Sequence, residues 1–422
     1  MLKWYRVALF NLVVLAFLGL VLRYKIIFNL SFVEQKNVLH AHSHFAFNGW
    51  ISFLLQALIL HQFTTGYANE PRFWNRFFVA STIVNYAMII SFAWVGYAGI
   101  SIILSTAALW LSYIFVYKIY KILPATKERK VSVSFLKGSL FFLVLSSAGP
   151  YALAIIIAIK SPHQYWYHNA LYFFLHFQYN GWFTFTVLAF LFQKIESSYS
   201  IQYKKGNIFF WLLAITCIPS FLFTTLWHVR PPGVTAIIII SAVIQTVSLY
   251  FLIKILRDSK PGIFKNLSPV TKWLYTIALC AFALKIILQL FSIYPSIAQL
   301  AFGFRPVIIG YLHLIFLVFV SLYLLGLLAE KKIIPVGTRL AKWALLIFSG
   351  AVITNEILLG IQGFASITFH FFPSLNYLLF INTVLLLAGA ILIYISSLKT
   401  IDHLILLNKQ ESYSKSTSIS SL

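Results

Sequence analysis

Eleven histidines punctuate this chain, and nine of them fall where apolar runs begin or end on one common side. Imidazole binds metals and moves protons near neutral pH, and a polar ring inside an apolar segment is costly unless it is used. His40, His42 and His44 open one apolar run. His163, His168 and His176 precede or enter another, and His228 ends the run after it. His313 lies two turns into a later run, and His370 sits in the last loop on the same side. Only His61 and His403 lie at the opposite ends.

The sequence around two of these residues repeats. His44-Phe45-Ala46-Phe47-Asn48-Gly49-Trp50-Ile51-Ser52-Phe53 returns as His176-Phe177-Gln178-Tyr179-Asn180-Gly181-Trp182-Phe183-Thr184-Phe185, and a degenerate third copy opens at His313-Leu314-Ile315-Phe316. Histidines entering an apolar layer at similar depth from neighbouring helices could ligate a haem axially or hold copper. His40 and His44 share a helix face, whereas His42 points about 160° away. His168 and His176, eight residues apart, are separated by about 12 Å along a helix and cannot share one ion. Plainer readings stand beside these. Histidines at helix starts can bond headgroups, His163, His228 and His370 can be loop residues, and Gly49 and Gly181 can serve close packing with Trp50 and Trp182 filling space.

The elements that position them follow from composition. Of 422 residues 60% are hydrophobic and 10% charged, with mean hydropathy +0.87, too little charge to cover a soluble protein of this size. The net charge of +23 would suggest nucleic acid in a soluble chain. Here the basic residues sit in short loops between apolar runs, so no nucleic-acid partner is expected and the lipid bilayer is. Runs of about 20 apolar residues predict twelve transmembrane helices, an all-α membrane protein. They begin near Arg6, Leu39, Trp74, Gly99, Leu136, Trp166, Ile208, Val234, Trp273, Pro306, Leu340 and Leu375. The first is read as a retained span, not a cleaved signal. The transmembrane domain is expected over 1–403, with repeat units of about 1–130, 131–265 and 266–403, followed by a polar disordered cytoplasmic tail over 404–422. Lys and Arg crowd one set of loops, while the other holds only Arg23, Lys25, Lys36, Lys160, Arg230 and Arg305, which puts both termini in the cytoplasm. Cys217 and Cys280 stand apart, excluding a disulfide framework and a C-x-x-C motif. Lys285 and Glu356, charges at similar depth in the ninth and eleventh runs, are expected to pair.

Twelve runs and a motif recurring every four of them suggest three four-helix units about a pseudo-threefold axis. In this, the outer-half histidines and the cytoplasmic termini, the chain resembles subunit I of the haem-copper oxidase superfamily, including its nitric-oxide-reductase-like branch. The resemblance implies that His44, with His40 and His42 as alternatives, matches a haem ligand on the second span and His313 its partner on the tenth. It implies that His176, or His168, matches a copper ligand, with His228 in the region that usually supplies a histidine pair. Arg230 and Arg305 would face haem propionates or lipid headgroups. The chain departs from the family in having one histidine after the seventh run, no second histidine beside His313, and few inner-half carboxylates. The simplest arrangement left is one b-type haem, with copper an open question.

The function so implied is a redox membrane protein in a bacterial plasma membrane. It would handle electrons and O2 or NO as an oxidoreductase, with a quinol or another redox subunit as donor. Two other classes compete: a transporter or metal permease with a histidine-lined site and a helix break at Gly149-Pro150, and a non-catalytic haem sensor or assembly protein.

Overall fold

A computed structural model of the chain describes residues 1–64, 66–123, 130–160, 163–198, 203–226 and 231–419, and every element among them is helical. The main helices among the described residues follow one another in the order α1 (Leu2–Ile27), α2 (Gln35–Gln62), α3 (Pro71–Val95), α4 (Gly99–Ile122), α5 (Val131–Ala158), α6 (164–198), α7 (Tyr203–Cys217), α8 (Pro232–Ile263), α9 (Pro269–Phe291), α10 (305–330), α11 (Arg339–Ile367) and α12 (Pro373–Ile419). Each begins within five residues of an expected start. Ten are long and apolar enough to cross a membrane, and α7 makes an eleventh if counted with the 3-10 turn Pro219–Thr225, to which it is bent by 44°. Prolines at the first or second position set the entry of α3, α8 and α9, where a missing N–H costs nothing.

Burial separates the central helices from the rest. In α2 and α10 the most apolar stretch is 78% buried, against 22–44% in the other eight. The inner part of α6 is equally enclosed, buried at every position over 181–192. These three helices meet through aromatic rings: Phe47 lies 4.8 Å from Phe316 and 5.6 Å from Phe183, and Phe183 lies 5.9 Å from Phe316.

Each central helix also changes its winding at the repeated motif. The backbone is π-helical over Phe45–Ser52, Phe177–Phe183 and Leu314–Ser321, in each case starting directly after His44, His176 or His313. Such wide turns are rare and cluster at functional sites. Side chains from these segments then link the helices in a cycle. Trp182 Nε1 donates to Ser52 Oγ (3.0 Å), and Trp50 Nε1 donates to Ser321 Oγ (2.9 Å). The third link would run from position 319 to Thr184, but Phe319 carries no donor, and Thr184 turns its hydroxyl to the Tyr179 carbonyl. Both donors are fully buried, so Trp182→Phe should cost about 1 kcal/mol, read as a lower unfolding temperature in detergent. Phe319→Leu, which breaks no hydrogen bond, gives the packing control.

Ion pairs gather at the inner end: Arg6–Asp402 (2.9 Å), Lys118–Glu70 (2.7 Å), Lys205–Asp258 (3.3 Å) and Lys194–Glu330 (2.5 Å). Tyr275 donates to the second oxygen of Glu330 at 2.6 Å, tying α6, α9 and α10 together.

Two expectations need revision. Lys285 and Glu356 do not pair: Glu356 accepts from the adjacent Asn355 side chain (3.2 Å), while Lys285 turns to the face of α9 that packs on α6, α7 and α8. Equal depth did not bring them together because they face different neighbours. The polar C-terminal segment, expected to be disordered, continues α12 as far as Ile419. No glycine or proline follows Gly389 to stop the helix.

Candidate functional site

Along each central helix the packing changes at the histidine. Over Phe53–Leu60 of α2 and Leu322–Ala329 of α10 every residue is buried. Beyond the π segments, Gln35–His44 buries only Val38 and Ala41, Gln164–His176 only Ala170 and His176, and Arg305–His313 no residue at all. A central helix without a buried residue has open space beside it, so the bundle is solid in its inner half and cleft in its outer half. The histidines sit at that boundary.

The three histidines of α2 face two ways, His40 and His44 toward Phe92 and Tyr97 and His42 away from them. His44 stacks on Phe92 (centroids 4.3 Å apart) and shares a hydrogen bond with the Tyr97 hydroxyl at 2.8 Å. His40 stands edge-on to Tyr97, with its Nε2 buried and unpaired. His42 turns the other way, toward α1, where a Cβ on Gly19 would come within 3.4 Å of its ring. One side of its ring faces the Leu15 backbone, and Nδ1 is buried without a partner. His313 on α10 likewise has a buried, unpaired Nδ1. His42, His313 and Arg23 lie within electrostatic range of one another, and Arg305 adds a second guanidinium near Arg23. Among the described residues neither arginine meets a carboxylate, so the cleft has a cationic mouth.

These residues fit a haem. Each imidazole offers an orphaned nitrogen, His42 is braced on the backbone as ligating histidines usually are, and Gly19 leaves the ring room. The arginine pair matches two carboxylates. The sequence pointed to His44 first because it begins the repeated motif; in the structure the buried nitrogens without partners include those of His42 and His313, and not those of His44. Arg23 was counted only as an outer-side charge, and its place one helix from His42 needed the fold.

Copper does not fit the described residues. His176 Nε2 donates to the Cys217 carbonyl at 2.8 Å, which leaves Nδ1 to accept from Asn180 Nδ2 at 3.0 Å, so neither nitrogen is free. His168 lies two turns away among Tyr167 and Tyr172. Among the described residues no three His, Cys, Asp or Glu side chains gather as a metal site. His228 and Arg230 lie outside the described residues.

No family profile matches the chain, and no curated protein matches it by sequence. Solved structures do match. One is a haem-copper terminal oxidase dimer determined by cryo-EM, similar with a TM-score of 0.61 at 12% identity, covering 94% of this chain and 83% of that one. At that identity the likeness shows the fold, a helical membrane bundle of oxidase-like arrangement.

Proposed function

We propose that this chain is a redox membrane protein holding one b-type haem between His42 and His313, in a twelve-span bundle of three four-helix units. The observation that carries the reading is the pair of buried, unpaired imidazole nitrogens at the edge of an outer cleft with two arginines. The three π segments, each following a histidine, and the tryptophan–serine links support the threefold arrangement. The loop charges support cytoplasmic termini, and the proposed location is a bacterial plasma membrane.

Bound there, the haem supplies a one-electron couple. The chain's own residues do the rest. His42 and His313 would hold the iron between α2 and α10, and the Leu15 backbone would fix the His42 ring. Arg23 and Arg305 would hold the carboxylates near the outer face. Phe47, Phe183 and Phe316 form a dry floor beneath the cleft, and the tryptophan–serine links keep α2, α6 and α10 at constant spacing. A quinol or another redox subunit is the proposed donor, and O2 or NO the proposed acceptor.

A second reading keeps the haem but not the catalysis: a haem sensor or assembly partner. It is favoured by His176, whose nitrogens are both engaged. A metal permease is disfavoured because His40, His42, His44 and His176 do not face a common path. The test is a reduced-minus-oxidised spectrum of the purified protein, with pyridine haemochrome and copper analysis. A b-type spectrum at about one haem per chain is expected. A stable, colourless, metal-free protein sinks both haem readings. Turnover then separates them: quinol-dependent consumption of O2 or NO favours the redox reading, and its absence in haem-loaded protein favours the sensor.

A further inference from the structure

A polar chamber lies just inward of His176, where α6, α7, α8 and α9 meet. Its walls are Asn180 and Thr184 of α6, Leu213 and Cys217 of α7, Gln245 of α8, and Phe282 and Lys285 of α9, every one of them buried. Two of these side chains have a buried polar atom without a partner, and a third carries an amine with no carboxylate among the described residues. Asn180 Oδ1 and Gln245 Oε1 are buried acceptors with no donor, and the amine of Lys285, 5% exposed, lies 5.8 Å from the Phe282 ring centre and meets no carboxylate among the described residues. Buried polar atoms are almost always satisfied, by water where protein does not reach. The space between these side chains is enough for one water. A single water accepting from Lys285 and donating to Asn180 and Gln245 would satisfy all three at once.

We infer that Lys285, Asn180 and Gln245 form a binding site for one buried water, and that this lysine–water pair holds the ground beside His176 that a copper ion would need. The chemistry agrees on both sides. An amine within electrostatic range of His176 and Cys217 opposes a second cation, and the engaged nitrogens of His176 offer it no ligand. The site rests on the packing of α6–α9 and not on the haem, so it stands or falls separately from that reading.

Cys217 lies in the chamber wall and reports on it. The other cysteine, Cys280, is exposed, so a Cys280→Ser protein has one thiol to observe. Its S–H stretching band is followed by infrared spectroscopy in lipid nanodiscs, whether or not the protein carries haem. On transfer to D2O the band should be lost as S–D appears, because water reaches the chamber. Lys285→Met should shift it, and incubation with copper(II) followed by dialysis should leave it in place. A band that survives in D2O after loop amides have exchanged overturns the proposal. So does a band unmoved by Lys285→Met, or one lost to a retained copper. If Lys285→Met does not fold, Gln245→Met takes its place: slower exchange is expected, and unchanged exchange overturns the site.

Discussion

Alanine at His42 or at His313 should cut haem retention to below about a tenth of the wild-type level, while His44→Ala should leave it nearly unchanged. Losing an axial imidazole removes an iron ligand, and each of these two rings has a buried nitrogen that nothing else satisfies. His44 is already spent on Phe92 and the Tyr97 hydroxyl. Its removal should cost about 1–2 kcal/mol of stability through the lost stack and hydrogen bond, without touching the haem. The measurement is pyridine haemochrome per mole of protein after size exclusion. A second measurement removes the objection that His42→Ala merely misfolds. His42→Gly leaves an imidazole-shaped gap beside Gly19, and added imidazole should restore haem binding there but not in His313→Leu. If His44→Ala emptied the protein and His42→Ala did not, the assignment would move one helix face round.

The same residues show where the sequence stopped being readable. The repeated motif and the apolar helices were legible, because hydropathy acts along the chain and leaves a local record. Which of His40, His42 and His44 keeps a buried nitrogen without a partner was not. That depends on the rotation of α2, and the rotation is altered by a π segment for which no residue pattern is known to us. Arg23 could not be tied to His42, since the link runs through α1 packing on α2 across a loop. The expected Lys285–Glu356 pair failed for a related reason: depth along a helix can be counted in residues, but azimuth needs the neighbours. His176 is the sharpest case. It occupies the same motif position as His44 and His313, yet its nitrogens are spent on Cys217 and Asn180.

The two glycines of the repeat carry this argument into stability. Gly49 and Gly181 occupy the same position in the motif, and nothing in the sequence distinguishes them. A Cβ on Gly49 would meet the ring of Phe45 at 2.5 Å, the outer atoms of a side chain on its own helix. A Cβ on Gly181 would meet Cβ of Phe142 at 2.3 Å and Cγ at 2.7 Å. Those atoms belong to α5 and sit too near its backbone to rotate away. Phe142 is itself held against Phe177, Phe185 and Phe141. Gly181→Ala must therefore push α5 off α6, at about 1–3 kcal/mol or more, while Gly49→Ala asks for a ring rotation and should cost clearly less. Reversible unfolding in mixed micelles gives both numbers. Equal losses would mean that the π segments, not the neighbouring helices, set the demand for glycine. A larger loss at Gly181 would mean that close approach of α5 fixes it, and that the two copies of one motif have been kept for different physical reasons.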